Sequence, residues 1–328
     1  MELKGWRKWI DMDYNREIAI LLATYNGEKY IELQLQSLID QTFDDFICYV
    51  HDDNSTDKTV EIIKKFETKY PDKIKLLNYE KGHGAIGNFL SLAEFVWENT
   101  KEPYIFFCDQ DDYWCPTKLE KQIEVLRENE DTSEPFLVYC DQEIVDSELN
   151  TIARSGMEYS KRKEGIDDSF KELVFENCAA GCTIGLNRSL LNIAMSYIDE
   201  KHVVMHDWWF MLIARCFGEI GYVDEQLMKY RQHGNNTLGA DSKLLVKKMK
   251  KYLFSMRKSI KGKAMHVKKC EMQIESVYTI SRNISGIKYQ QELNNIHKII
   301  YKNKIKRMFL FLKLGYLKIG EIFTAIFV

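Results

Sequence analysis

Asp109, Asp111 and Asp112 follow directly on the apolar run Tyr104-Ile105-Phe106-Phe107-Cys108. Such a run reads as a buried strand, and carboxylates at its end are costly unless something neutralises them. A divalent cation does so. With an extended backbone, Asp109 and Asp111 point the same way and bracket one metal. Hard oxygen ligands suit Mg²⁺ or Mn²⁺, ions usually shared with substrate phosphates. Taken alone, an Asp-x-Asp tripeptide is common and reads first as an acidic turn and helix cap. A second acid, Asp207, opens an apolar helix beside His206, Trp208 and Trp209. By itself it reads as an N-cap with both tryptophans in the core.

The elements that must position these residues alternate between strand and helix. Ile18 to Thr24 is a short apolar run closed by Tyr25-Asn26-Gly27, a strand with a turn at its C-terminal end. Helical spacing follows from Tyr30 to Leu38. A second strand, Phe46 to Val50, ends in His51-Asp52-Asp53-Asn54-Ser55. A helix over 57–70, a strand over 74–77, a loop with Gly82, Gly84 and Gly87, and a helix over 88–98 come next. Pro116 suits the first turn of another helix, striped by Leu119, Ile123 and Leu126. Strands are expected at 136–141 and 222–230, an irregular loop over the site at 154–169, and an apolar helix from 205 to Gly218. Alternation of this kind predicts a mostly parallel sheet with right-handed crossovers. Ligands of such sheets gather beyond the carboxyl ends of the strands. The loops at 24–27, 52–55 and 109–112 should therefore share one crevice.

Composition narrows the class. The chain has 328 residues, is 45% hydrophobic and contains four prolines, which fits a large folded core without a long disordered linker. Its net charge is −3, but residues 241–328 hold 20 Lys/Arg against 5 Asp/Glu, a net of +15. The remainder is strongly acidic. The eight cysteines are scattered with no C-x-x-C pair, so neither a zinc site nor a thioredoxin-like site is indicated. The opening residues lack a secretory pattern, and no clean run of about 18 apolar residues suggests a spanning helix. A reducing cytoplasm is the expected compartment.

The set Ala23-Thr24-Tyr25-Asn26-Gly27, Asp52-Asp53-Asn54-Ser55-Thr56-Asp57, Asp109-Gln110-Asp111-Asp112 and His206-Asp207-Trp208-Trp209 resembles the family-2 glycosyltransferases. These are inverting, nucleotide-sugar-dependent enzymes with the GT-A fold. The fuller wording from Phe107 to Trp114 and from Tyr230 to Asn236 looks most like bacterial rhamnosyltransferases that build surface polysaccharides. The resemblance covers residues 17–240. It implies an α/β, GT-A type, mostly parallel nucleotide-binding sheet flanked by helices, with a basic helical C-terminal extension. The domain reading is a glycosyltransferase domain over 1–240, with a nucleotide-sugar half at 17–140 and an acceptor half at 141–240, followed by a mainly helical region at 241–328.

By that resemblance Asp109 and Asp111 hold Mg²⁺ or Mn²⁺ against the donor diphosphate. His233 falls where related enzymes often place a further metal or phosphate contact, although a lone His before Gly also reads as a turn residue. Thr24, Tyr25, Asn26 and Glu28 would line the nucleotide pocket. Asp53 would accept from the base N3–H, which uracil and thymine share. Asn88, Gln110 and Arg231 complete the donor set; Asn88 could instead cap a helix and Arg231 form a surface ion pair. Asp207 is the expected general base, deprotonating the acceptor hydroxyl, with Trp208 and Trp209 as sugar-stacking surfaces and His206 as a weaker alternative base. The processive-synthase signature Q-x-x-R-W is absent, which favours addition of one or a few sugars. The expected donor is dTDP-rhamnose and the expected acceptor a saccharide on a lipid carrier.

The basic tail, above all 302–328, reads as an interfacial element that holds the protein on the inner face of the cell membrane through anionic lipid. It reads also as a helical region packing on the acidic body or on a second subunit. No nucleic-acid module accompanies the charge. Two rival functions stand beside the transferase: a nucleotidyltransferase, which usually needs a basic phosphate loop that 24–28 lacks, and an inactive nucleotide-sugar-binding subunit.

Overall fold

A computed structural model describes residues 16–78, 83–128, 133–164, 169–233, 250–284 and 287–303, with positions 306, 307, 310 and 313, and side chains throughout except 250–265. The expectations placed on Gly82, on Gly234 to Asn236 and on most of 302–328 lie outside these residues. The elements run β1 (Ile18–Thr24), α1 (Ile31–Ile39), β2 (Phe46–Asp52), α2 (Thr59–Lys69), β3 (Ile74–Leu76), α3 (Gly84–Asn99), β4 (Tyr104–Asp109), β5 (Tyr113–Trp114), α4 (Lys118–Glu128), β6 (Phe136–Val145) and β7 (Thr151–Ala153). There follow α5 (Gly156–Tyr159), α6 (Phe170–Leu173), β8 (Ile184–Asn187), α7 (Arg188–Ser196), α8 (His206–Phe217), β9 (Glu219–Arg231), α9 (Lys250–Ser281) and α10 (Gln290–Ile300).

These strands form one sheet in the order β3-β2-β1-β4-β8-β6-β9-β5, with β7 on β6. Strands β1 to β4 are mutually parallel, as their continuous apolar runs require of strands covered on both faces. Beyond β4 the sheet becomes mixed, because β8 pairs antiparallel with both β4 and β6. The chain winds from β1 outward to β3 and then returns to the other side of β1 as β4. The switch point therefore lies between β1 and β4, where a ligand crevice belongs. Register sets Thr24 beside Asp52 and Ala23 beside Asp109, so the three polar loops emerge together.

Alternation along the strands builds two cores. Ile18, Ile20 and Leu22 face α1 and α4 through Leu35, Ile123 and their neighbours. Ala19 and Leu21 face the other layer, which contains Phe89, Leu190 and Trp209. Each Leu or Ile so buried contributes about 1.5–3 kcal/mol. Helix α8 is buried almost throughout its length, in the middle of that layer. From α9 and α10, Cys270, Ile274, Val277, Leu293, Ile296 and Ile299 join the same core. The Nδ1 of His202 lies 2.9 Å from Ser276 Oγ, and Val204 N–H donates to Gln273 Oε1 at 2.9 Å. Arg307 pairs with Glu271 at 3.1 Å, and Leu310 packs against this core. Residues 266–284 and 287–300, with Arg307 and Leu310, thus pack on the body of the chain. No helix among the described residues is long and apolar enough to cross a membrane.

Candidate active site

A cleft of about 1260 Å³ opens at the carboxyl ends of β1 and β4. Its donor end is made by loops that hold one another. At the turn after β1, Asn26 takes φ +46°, a left-handed conformation that Asn tolerates. Its N–H donates to Ser55 Oγ at 2.8 Å, and its Oδ1 accepts from Thr56 N–H at 2.8 Å. Thr24 Oγ1 donates to Asp52 Oδ1 at 2.8 Å. Gln110 makes two bonds to one residue: its Oε1 accepts from Tyr25 N–H at 2.8 Å, and its Nε2 donates to Tyr25 C=O at 2.9 Å. A Cβ at Gly27 would stand 2.3 Å from that Oε1, so glycine allows this approach. Asn88 Nδ2 donates to Thr24 C=O at 3.2 Å, while its Oδ1 lies 2.7 Å from His51 Nδ1. The Asp53 carboxylate accepts from Gly84 N–H at 2.7 Å and meets His83 Nδ1 at 2.9 Å. Gly84, at φ +73°, supplies the backbone shape that starts α3 there.

Thr24, Tyr25, Asn26, Asp53, Asn88, Asp109, Gln110, Asp111, Asp207 and His233 all line the cleft, as expected of one site. Four expectations need correction. Glu28 does not line the cleft; its Oε2 accepts from Lys58 N–H at 3.0 Å at the start of α2, where a carboxylate suits the free N–H groups. Arg231 is 2% exposed and does not face the cleft. Its Nε donates to Asp111 C=O at 2.7 Å and its N–H to Asp112 Oδ1 at 3.0 Å, so it braces the acidic turn from behind. Trp208 and Trp209, at 3% and 0% exposure, are core residues. Their indole N–H groups donate to Leu173 C=O at 2.6 Å and Ala194 C=O at 3.2 Å. Being adjacent on a helix buried all round, they point into protein on two sides and offer no stacking surface.

The acids do not continue an extended strand. β4 ends at Asp109 and the chain turns at Gln110 and Asp111. The turn sends Asp111 to His233, whose Nε2 lies 2.7 Å from Asp111 Oδ2, with Tyr30 stacked on the imidazole at 4.9 Å. Asp112 turns inward instead. With Asp109 and Cys182 it brings ligand atoms within 4.8 Å of one another. Burial, then the Asp111 charge, pushes Asp109 up to about 7, against a lowering hydrogen bond from Cys182. Burial and the same acidic neighbours hold Asp112 well above the carboxylate range. Carboxylates that raise one another in this way fit a divalent cation, which would relieve them. Asp109, Asp111 and His233 supply the oxygen and imidazole donors that face the cleft. Asp112 and Cys182 were missed because Cys182 comes from a distant segment, and no spacing in the sequence joins the two.

At the other end, Asp207 stands in the first turn of α8 and is 7% exposed. Burial pushes it up to about 6, while hydrogen bonds from the Trp208 and Gly181 N–H groups and the Asn177 side chain act in the opposite direction. Burial drives His206 down to about 3, so its ring is neutral at pH 7. That ring stacks on Phe89 at 4.0 Å, and neither nitrogen has a hydrogen-bond partner among the described residues. An imidazole that holds a proton this weakly is a poor base at neutral pH; the carboxylate beside it is the stronger candidate.

A cleft at the switch point, acids at its centre and a buried carboxylate at its far wall define a ligand-binding α/β fold with the makings of an active site. Residues 19–192 match the family described as Glycosyl transferase family 2, and the chain belongs to that family. A dTDP-rhamnosyl transferase, RfbG, from Shigella flexneri is 32% identical over 233 residues, which cover 67% of this chain and 74% of that protein. Among solved structures, S. aureus TarS 1-349 in complex with UDP-GlcNAc superposes with a TM-score of 0.53 at 15% identity, covering 95% of this chain and 88% of that one. The mannosyltransferase PcManGT from Pyrobaculum calidifontis, in complex with GDP-Man and Mn²⁺, gives a TM-score of 0.50 at 13% identity over 97% and 90% of the two chains. The fold is that of the GT-A glycosyltransferases.

Proposed function

We propose that this protein is a metal-dependent, inverting glycosyltransferase that moves rhamnose from dTDP-rhamnose to a growing bacterial surface polysaccharide. The observation that carries this reading is the meeting of Asp109, Asp111, His233 and Asp207 in one cleft. Asp109, Asp111 and His233 would hold Mg²⁺ or Mn²⁺, which when bound neutralises charge on the donor diphosphate. Asp53, Thr24, Tyr25 and Asn26 bind the nucleoside, with Asn88 and Gln110 fixing the loops around it. Asp207 takes the proton from the acceptor hydroxyl as that oxygen attacks the anomeric carbon and the bond to phosphate breaks on the opposite face. Its raised pKa, about 6, still leaves it ionised at neutral pH. Residues 24–28 hold no Lys or Arg and so no basic phosphate loop, which speaks against a nucleotidyltransferase.

The sugar rests on the likeness to RfbG, and the Mn²⁺ bound by PcManGT agrees with metal use. Residues 1–240 form the transferase body in this reading. The basic remainder serves partly as packing and partly as an anchor at the cytoplasmic face of the membrane, close to a lipid-linked acceptor. Competitive turnover of dTDP-rhamnose against UDP-linked glucose, galactose and N-acetylglucosamine tests the donor. Preference for dTDP-rhamnose is expected; a clear preference for a uridine-linked sugar removes rhamnose. Absence of turnover with every donor would favour a binding subunit.

A further inference from the structure

With Trp208 and Trp209 buried, the acceptor sugar needs another surface. We propose that Tyr159, with Gln142 behind the same short helix, forms the subsite that stacks and orients the pyranose ring of the acceptor saccharide. This rests on the glycosyl-transfer reading of the cleft. The cleft, about 1260 Å³, exceeds the roughly 1,000 Å³ upper range of single-ligand pockets and has room for a second substrate. Tyr159 lines it and is 47% exposed, with its ring open to a ligand.

The element is well anchored. Ser155 caps α5 by accepting from Glu158 N–H at 3.0 Å, and Met157 N–H donates to Asp141 Oδ1 at 3.0 Å. It is also tied to the base. Arg162, three residues beyond Tyr159, pairs with Glu176 at 2.8 Å, and the next residue, Asn177, hydrogen-bonds Asp207. Gln142 packs against Gly156 of the same helix and lines the cleft, and its buried Oε1 has no partner among the described residues. A sugar ring presents an apolar C–H face and a rim of hydroxyls. The exposed phenol ring of Tyr159 matches the first feature, and the Gln142 amide, packed against the start of the same helix and lining the cleft, matches the second once its side chain turns to meet a hydroxyl.

The test uses the full chain with Mg²⁺ and a nucleoside diphosphate. Saturation-transfer NMR titrations use methyl α-L-rhamnopyranoside and methyl N-acetyl-α-D-glucosaminide as probes. At least one glycoside should bind the wild type, Tyr159→Phe should keep that binding, and Tyr159→Ala should weaken it about three- to tenfold, the scale of a lost aromatic contact. Gln142→Leu should weaken it less. No binding of either glycoside, or equal binding by Tyr159→Ala, overturns the proposal. So does a parallel loss of nucleotide affinity, which would move Tyr159 to the donor end. Calorimetry of the nucleoside diphosphate on the same wild-type preparation separates the two readings: failure there defeats the glycosyltransferase reading itself, whereas intact nucleotide binding with unchanged glycoside binding defeats only the Tyr159 subsite.

Discussion

The two ends of the cleft are built differently. At the donor end the polar groups of Thr24, Asn26, Asp53, Asn88 and Gln110 already bond one another or neighbouring backbone at 2.7–3.2 Å. At the acceptor end Gln142 Oε1 and both nitrogens of His206 have no partner among the described residues, and Asp207 is held in its basic range by burial. A buried polar atom without a partner costs about 1–3 kcal/mol, so that end stores a need that a hydroxyl-rich ligand can meet. The difference teaches how the work is divided. The donor end is a preformed frame, and the acceptor end combines a carboxylate raised by burial with polar atoms that lack a partner among the described residues.

Changes at the two ends should therefore fail in different ways. Asp207→Asn should have the largest effect, lowering turnover by ~10²-fold or more while donor affinity stays near wild type. Calorimetry and initial rates on one preparation measure both, and near-normal turnover would assign the base elsewhere. The wild-type rate should rise with pH and level off above about 6, and that limb should be missing from the variant's residual rate. The stability sign is opposite. A carboxyl with a raised folded pKa contributes stability below its unfolded value of 3.8 and loses it as pH rises through about 6. The difference in thermal stability between wild type and Asp207→Asn should shift against the wild type over that window.

Asp111→Asn should act on the frame. The Mn²⁺-dependent gain in nucleoside diphosphate affinity should fall by roughly 10- to 100-fold, with little change in the metal-free affinity. An unchanged metal dependence would take Asp111 out of the ligand set and point to Asp109, Asp112 and Cys182.

Much of the donor end was legible because it is local. Ile18–Thr24 was read to the residue, and the three loops were expected together because parallel strands deliver their carboxyl ends to one edge. Asp111 with His233 was legible only through resemblance, since the two are 122 positions apart. What failed was direction. An extended backbone would set Asp109 and Asp111 on one face, but the strand stops at Asp109 and a turn carries Asp111 to His233. Trp208 and Trp209 read as a sugar platform only through the resemblance; by themselves they read as core. The stronger signal lay further on, in Phe210-Met211-Leu212-Ile213, which makes the helix apolar on every side and so buries it. Asp112 with Cys182 depends on β8 lying antiparallel to β4, a pairing that no periodicity announces.

Hydrogen exchange tests the division between the two ends most directly. Amide exchange should be followed by mass spectrometry with and without nucleoside diphosphate and Mg²⁺. Ligand should slow exchange at 24–28, 52–57, 83–88 and 109–112 and leave 156–162 and 177–181 unchanged. Equal protection of both sets, or protection confined to the second, would contradict a preformed donor frame set apart from the acceptor end.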